Sequence, residues 1–238
     1  MIALGQMDCS PQTQESRLER HLIMIEEAHK RGSEGIFFPE LSLTGYVTSD
    51  VTKVAMNADD PRIIRLQKLS NQYGITIGGG LPLVHKKGIT ISMVILKPKE
   101  QPTFHHKNQL HSDEQPYFTP GPQPDIIPFH GEKMGIGICY ESTQESHFKY
   151  LVEKGMTLFI ASSAKTKTGM RDAIATYKTL AKKYSTPILA VNSIGLQDGF
   201  MGSGMSCMID KSGRSISPVK GNKACMMAVD LEKESIVS

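Results

Sequence analysis

Apolar and polar positions along the chain fall into two alternating rhythms. MIALGQMD opens with a short apolar run that reads as a buried strand. Residues 13–31 then follow a helical period, with Leu18, Leu22, Ile25 and Ala28 on one face and Arg, Glu and Lys elsewhere. Gly32 stands where a helix C-cap is expected. EGIFFPE reads as a second strand, halted by Pro39. A polar, turn-rich stretch follows. Residues 61–73 then form a second helical pattern through Ile63, Ile64, Leu66 and Leu69, with Pro61 near its start. GITIGGGLPLV and GITISMVILKP predict two adjacent strands joined by a turn over residues 85–88.

The pattern breaks at residues 105–125, where HHKNQLHSDEQPYFTPGPQPD is rich in Pro, His and polar groups and predicts a long loop. Loops of that length inside a compact domain usually carry function or are disordered. Periodicity returns with KMGIGIC (strand), residues 143–154 (helix), TLFIASS (strand), residues 169–184 (helix), and the strands TPILAVNS, GMSCMID and CMMAVDL. Helices interleaved with strands predict a mixed α/β layout in which helices cover sheet faces. Pattern alone leaves a doubly wound sheet and a two-sheet sandwich both open.

Composition narrows the setting. At 238 residues, with no repeat, low-complexity segment or linker, the expectation is one domain over residues 1–238. Lys plus Arg number 27 against 24 Asp plus Glu, and the positive residues are scattered, which argues against a nucleic-acid partner. The apolar runs fall far short of the roughly 18 residues of a membrane span. The opening segment meets Asp8 too early for a signal peptide's apolar region. The expected setting is therefore soluble and cytoplasmic, with no membrane partner. Cys9, Cys139, Cys207 and Cys225 are too far apart for a zinc motif or a disulfide framework. Cys207 and Cys225 lie in apolar runs and read as small buried hydrophobes.

Three segments can carry chemistry. In FFPELSLTGY an apolar strand delivers Glu40 just past its end, where α/β proteins tend to place working residues; a solvated loop carboxylate is the plain alternative. In FHHKNQLHSDEQPYFTPG, Lys107 and Glu114 lie seven residues apart in the long loop. A solvated lysine is the default there. His105, His106 and His111 raise a metal reading, but the adjacent pair lacks i, i+4 spacing and fits no metal motif, so no metal is expected. In KMGIGICYES a strand runs into Cys139 shortly before a helix. That outline is a nucleophile elbow, with the thiol near a helix's positive end, where thiolate is favoured. A buried core cysteine is the alternative.

Taken together and in order, Glu40, Lys107 and Cys139 resemble the nitrilase superfamily of carbon–nitrogen hydrolases. The likeness runs from IALGQMD through FPELSLTGY, HHKNQLHSDEQPYFTPG and GIGICYE to GSGMSCMIDKSGR, nearly the whole chain. The resemblance implies a four-layer α-β-β-α sandwich, association as homodimers or larger assemblies, and no cofactor. It implies that Cys139 attacks an amide-like carbonyl and forms a thioester, with Glu40 moving the protons. It assigns oxyanion stabilisation to Lys107 and the backbone N–H of Tyr140, and a positioning role to Glu114. By analogy, Tyr46, Tyr117, Glu141 and Ser163 line the substrate pocket.

Two departures bear on the substrate. After CYE the chain reads STQESHF, where many family members carry an arginine that grips a substrate carboxylate. Its absence argues against carbamoyl amino acids and dicarboxylic monoamides; a changed subunit contact is the other reading. The absence of any Trp ranks amides above nitriles, since nitrilases often carry one after the cysteine. CYES also resembles the elbow of the membrane-bound apolipoprotein N-acyltransferases, which keeps a soluble acyltransferase open. A catalytically silent member is expected to have lost a triad residue, and all three are present. The short C-terminus is expected to lack the extension that crosses to a partner subunit. The leading expectation is a thiol amidohydrolase of a small linear amide.

Overall fold

The computed structural model describes residues 1–216 and 222–237. Its first half holds β1 (Ile2–Gln6), α1 (Gln14–Lys30), β2 (Gly35–Phe37), α2 (Val51–Val54), α3 (Pro61–Tyr73), β3 (Thr76–His85), β4 (Gly88–Leu96) and β5 (Thr103–His106). The second half holds β6 (Ile127–Phe129), β7 (Glu132–Ile138), α4 (Glu145–Glu153), β8 (Leu158–Ser163), α5 (Lys167–Tyr184), β9 (Ile188–Asn192), β10 (Ile194–Gln197) and β11 (Phe200–Ser203). The strands β12 (Cys207–Ile209), β13 (Ser215–Ile216), β14 (Cys225–Asp230) and β15 (Ser235–Val237) follow.

The strands form two large sheets, ordered β15-β14-β1-β2-β3-β4-β5 and β13-β12-β9-β8-β7-β6. Each has a parallel centre, β1-β2-β3 in the first and β7-β8-β9 in the second, because α1, α3, α4 and α5 are the crossovers between consecutive parallel strands. Strand alternation then sorts the apolar residues into three layers. Ile2 and Leu4 of β1 face inward with Phe37, and meet Ile136, Ile138, Ile160 and Val191 of the second sheet. Ala3 and Ile36 face outward onto Leu18, Ile25, Ile63 and Leu66 of α1 and α3. Phe159, Ala161 and Ala190 face outward onto Phe148, Leu151, Met170 and Tyr177 of α4 and α5. Strands buried on both faces explain the near-continuous apolar runs in the sequence. The result is the α-β-β-α sandwich, and it decides between the two layouts that pattern left open.

Local signals act where the sequence places them. Asp60 caps α3 through Arg62 N, Pro61 starts the helix, and Gly74 ends it at φ +66°. Several boundaries differ from expectation. The long loop begins later, because Thr103–His106 pairs with β4 as an edge strand. Only a 3₁₀ turn, Glu141–Thr143, follows Cys139, and α4 begins at Glu145. The β10–β11 hairpin was not foreseen: each of its strands is four residues long and carries a glycine, too short a run for a period-2 signal. Cys207 is buried as expected, but Cys225 is only partly buried, because its strand lies toward the edge of the first sheet.

Candidate functional site

Four strand ends deliver chemistry to one place. Glu40 follows β2, Lys107 follows β5, Cys139 follows β7 and Lys165 comes just after β8. The Ser162 hydroxyl, at the end of β8, donates to the Phe38 carbonyl at 2.9 Å and ties the two sheets together at this end.

Glu40 sits in a tight turn that lies on β3. Ser42 N–H donates to the Pro39 carbonyl (3.1 Å), Gly45 N–H to Leu41 (2.7 Å), and Leu43 N–H to Gly80 (2.9 Å). Gly80 is required by close approach: a Cβ there would stand 2.4 Å from the Pro39 oxygen and 2.5 Å from the Leu41 nitrogen. Beneath the turn, buried His21 links α1 to it. Its Nδ1–H donates to the Arg17 carbonyl (2.9 Å), and its Nε2 accepts from the Ser42 hydroxyl (3.1 Å).

Lys107 is fully buried, and its backbone is pinned on both sides, by Ile91 O and Gly121 N at 2.8 Å each. Its Nζ donates to Glu40 Oε1 at 2.8 Å and to Glu114 Oε1 at 2.6 Å. Glu114 also accepts from the Tyr46 hydroxyl (2.9 Å) and from His111 N–H (2.8 Å), so the lysine is bracketed by two carboxylates that are themselves held. Glu40 Oε2 is buried and accepts no hydrogen bond among the described residues. Burial pushes the Glu40 carboxyl above its ordinary value, against the pull of Lys107 and with a further push from Glu114. Burial pulls the Lys107 ammonium down, but Glu40, Cys139 and Glu114 more than reverse this and hold it charged.

Cys139 ends β7 with its N–H on Ser162 O (2.8 Å) and a left-handed φ of +48°. A non-glycine residue held there is a strained elbow. Ser142 secures the turn by donating to the Cys139 carbonyl at 2.6 Å and by sharing a hydrogen bond with the Tyr177 hydroxyl. The Tyr140 N–H donates to no protein acceptor among the described residues and is free for a ligand oxygen. The expectation of a helix-stabilised thiolate needs correction. No helix starts at the elbow, and burial together with Glu40 pushes the thiol up, against Lys165 and Lys107.

A cavity of about 770 Å³ opens over the sulfur. Tyr46, Tyr117 and Tyr140 line it with Cys139 and Glu114, as the sequence suggested. Two expected pocket residues are not on its wall. Ser163 is buried at the end of β8, and the residues just after the strand, Ala164 and Lys165, line the cavity instead. Glu141 is fully buried and works as a bracket. Its Oε1 accepts from Ile138 N–H (3.0 Å) and His105 Nε2 (2.9 Å), and its Oε2 from Asn108 N–H (2.7 Å) and Gln109 N–H (3.2 Å). One carboxylate thus joins the Cys139 elbow to the Lys107 loop. Burial pushes it up, but the His105 hydrogen bond and the nearby His105 and His147 outweigh this and hold it below the ordinary range.

The loop histidines disperse. His105 serves Glu141, His106 meets Thr90 and Ser92, and His111 pairs with Asp113 at 2.6 Å. Lys165 was missed by sequence reasoning, since in SSAKTKTG it looks like one of two solvated lysines before a helix.

The sandwich thus brings a buried acid, a buried lysine and a partly buried cysteine to one end of both sheets. The carbon–nitrogen hydrolase family model matches residues 1–236, and the chain belongs to that family. The chain is 25% identical over 219 residues to the glutamine-dependent NAD(+) synthetase of Acinetobacter baylyi, covering 89% of this chain but 40% of that protein. It is 24% identical over 185 residues to an (R)-stereoselective amidase of a Pseudomonas species, covering 75% of this chain and 66% of the amidase. The chain therefore spans less than half the length of the synthetase it matches. Among solved structures, an amidase from Nesterenkonia superposes with a TM-score of 0.85 at 21% identity, over 94% of this chain and 87% of that one. A hydrolase-superfamily protein from Xanthomonas campestris, with an arsenic adduct in its active site, gives 0.86 at 16% identity over 100% and 89%. No described helix is long and apolar enough to cross a membrane.

Proposed function

We propose that the chain is an amidohydrolase that cleaves a small linear amide through a Cys139 thioester. The observation that carries this reading is the unpartnered, buried Oε2 of Glu40 in a carboxylate whose other oxygen is held by Lys107. A proton acceptor kept free and dry beside a strained thiol suits a group that must take up and return a proton. The thiol proton passes to Glu40, and the sulfur's electron pair attacks the amide carbon. The carbonyl oxygen becomes an oxyanion held by Lys107 and the Tyr140 N–H. As the intermediate collapses, protonated Glu40 gives its proton to the departing nitrogen, and ammonia or an amine leaves. Glu40 then takes a proton from water, whose hydroxide displaces the thiolate and releases the acid, and Glu40 returns the proton to the sulfur. Glu114 and Tyr46 hold Lys107 throughout. The cavity's three tyrosines suit an uncharged, compact acyl group.

A second reading within this chemistry, hydrolysis of the glutamine side-chain amide, draws on the synthetase relatives, which are named for glutamine dependence. Ammonia release from a panel of primary amides, including glutamine, carbamoyl amines and nitriles, decides between them. Cys139→Ala serves as the blank. Release confined to the intact enzyme, and to simple amides, is the expected result. Product formed only when hydroxylamine is added indicates acyl transfer. If no compound yields ammonia or a mass shift on Cys139, the amidohydrolase reading fails.

A further inference from the structure

We propose that Lys165 is a second catalytic lysine, which holds its ammonium against the Cys139 sulfur and stabilises the thiolate formed when the thiol proton passes to Glu40. The inference deepens the reading above and rests on it for the direction of proton transfer.

Placement comes first. Lys165 stands two residues beyond the end of β8 and lines the same cavity as Cys139. Its backbone is clamped. Lys165 N–H donates to Asn192 Oδ1 (2.7 Å), and its carbonyl accepts from Asn192 Nδ2 (3.1 Å) and from Ser203 N–H (3.1 Å). Asn192 is itself fully buried, and its Nδ2 also donates to the Gly204 carbonyl (2.8 Å), so β9 and the β10–β11 hairpin fix the start of this side chain. The ammonium has no carboxylate within ion-pair distance among the described residues; Lys165 shares the cavity wall with Cys139, and Cys139, Tyr177 and Glu40 are the groups that act on its charge. Among the described residues the other lysines with that freedom are exposed, whereas this one is half-buried on the cavity wall it shares with Cys139.

Charge balance supplies the reason. With both carboxylates ionised, Glu40, Glu114 and Lys107 together carry one net negative charge in a buried cluster. A buried uncompensated charge is costly. Lys165 brings the group to neutrality. It also divides the work by position: Lys107 binds the carboxylate that is charged before proton transfer, and Lys165 lines the cavity with the cysteine whose sulfur is charged after it. In the transfer the S–H bond breaks, an O–H bond forms on Glu40, and the electron pair stays on sulfur. With a cation at each end, the negative charge is stabilised on either side of the transfer. The groups that face Cys139 are Glu40, Glu114, Lys107, Lys165, Tyr46 and Tyr177. His111 and Asp113 at the cavity wall pair with each other.

The test is the rate of Cys139 alkylation by iodoacetamide across pH 5–10, on the full chain, with modified peptides separated from those of Cys225. Alkylation reads the thiolate without needing a substrate, so it stands apart from the amidase assay. In Lys165→Met the rate at pH 7 is expected to fall about tenfold, and the profile to move about one unit to higher pH. Lys165→Arg, which keeps the charge, is expected to restore most of the rate. With the amide substrate, kcat should fall while KM stays nearly constant. An unchanged alkylation profile in folded Lys165→Met overturns the proposal. So does a folded Arg variant as slow as Met. Should the Met variant fail to fold, Lys165→Gln replaces it under the same two criteria.

Discussion

A single carboxylate decides how two parts of the site are aligned. Glu141 accepts from the Cys139 elbow through Ile138 N–H and from the Lys107 loop through Asn108 and Gln109, and His105 completes its shell. Replacing it by Gln puts an N–H₂ group against donors. Leaving buried donors unpaired costs about 1–3 kcal/mol, and the elbow and loop lose their common anchor. Glu141→Gln is expected to lower kcat about 100-fold with little change in KM, since misplacement of reacting groups by about 1 Å has effects of that size. Steady-state kinetics with a folded variant check this, and a loss confined to KM would return Glu141 to the substrate role read from sequence. The residue scale also shows what sequence can carry. Glu40, Lys107, Glu114 and Cys139 were legible because each sits in a segment that carries the family resemblance, and the structure brings all four together. Glu141 and Ser163 were misplaced because the sequence cannot say which side of a turn faces the cavity. Lys165 was missed because nothing local marks a lysine as buried. What makes it so is Asn192 and Ser203, 27 and 38 residues away.

At the scale of elements, the site depends on turns lying flat on strands. The Glu40 turn rests on β3 only because Gly80 has no side chain. The sequence showed the triple glycine of GITIGGGLPLV inside a strand pattern, but not the segment that would cross it, since that contact joins residues 40 apart. Gly80→Ala forces the turn off β3, because backbone atoms cannot yield as a flexible side chain does. Overpacking of this kind costs about 1–3 kcal/mol. Turnover is expected to fall well beyond what the stability loss explains, because Glu40 moves with its turn. Gly74→Ala is the control. Its φ of +66° strains any side chain, but no atom lies within 4 Å of the added Cβ. That variant should lose stability at the end of α3 and keep its activity. Thermal melting beside Cys139-dependent turnover separates the two. Equal activity in both variants would mean that the turn does not position Glu40.

Across the whole molecule, three apolar layers fill the sandwich, and several buried titratable groups collect at its working end. Acid stability is therefore tied to the site. His21 is the clearest case. Complete burial between α1 and the Glu40 turn lowers its pKa from 6.5 to about 4. The folded state thus binds fewer protons than the unfolded state between those two values. The stability that neutral His21 contributes is full above pH 6.5 and declines as pH falls toward 4. By pH 4 the loss from this one group reaches about 3 kcal/mol, a large share of an ordinary domain's stability. Glu141, held below its ordinary range, adds a loss of the same sign at lower pH. Glu40, pushed up by burial, opposes it. Urea unfolding at pH 7 and pH 4.5 should show the decline. His21→Gln keeps one donor and one acceptor for Arg17 and Ser42 but does not titrate, so its stability should change less between the two pH values. The outer helical layer and the catalytic turn meet at this ring, so acid should loosen the turn before the core. Protonation of His21 withdraws the acceptor that Ser42 uses and charges a ring packed 4.4 Å from Phe38. Hydrogen exchange at pH 5 should accordingly show residues 41–45 opening ahead of the β1-β2-β3 amides. In His21→Gln that early opening should disappear; its persistence would place the acid-sensitive joint elsewhere.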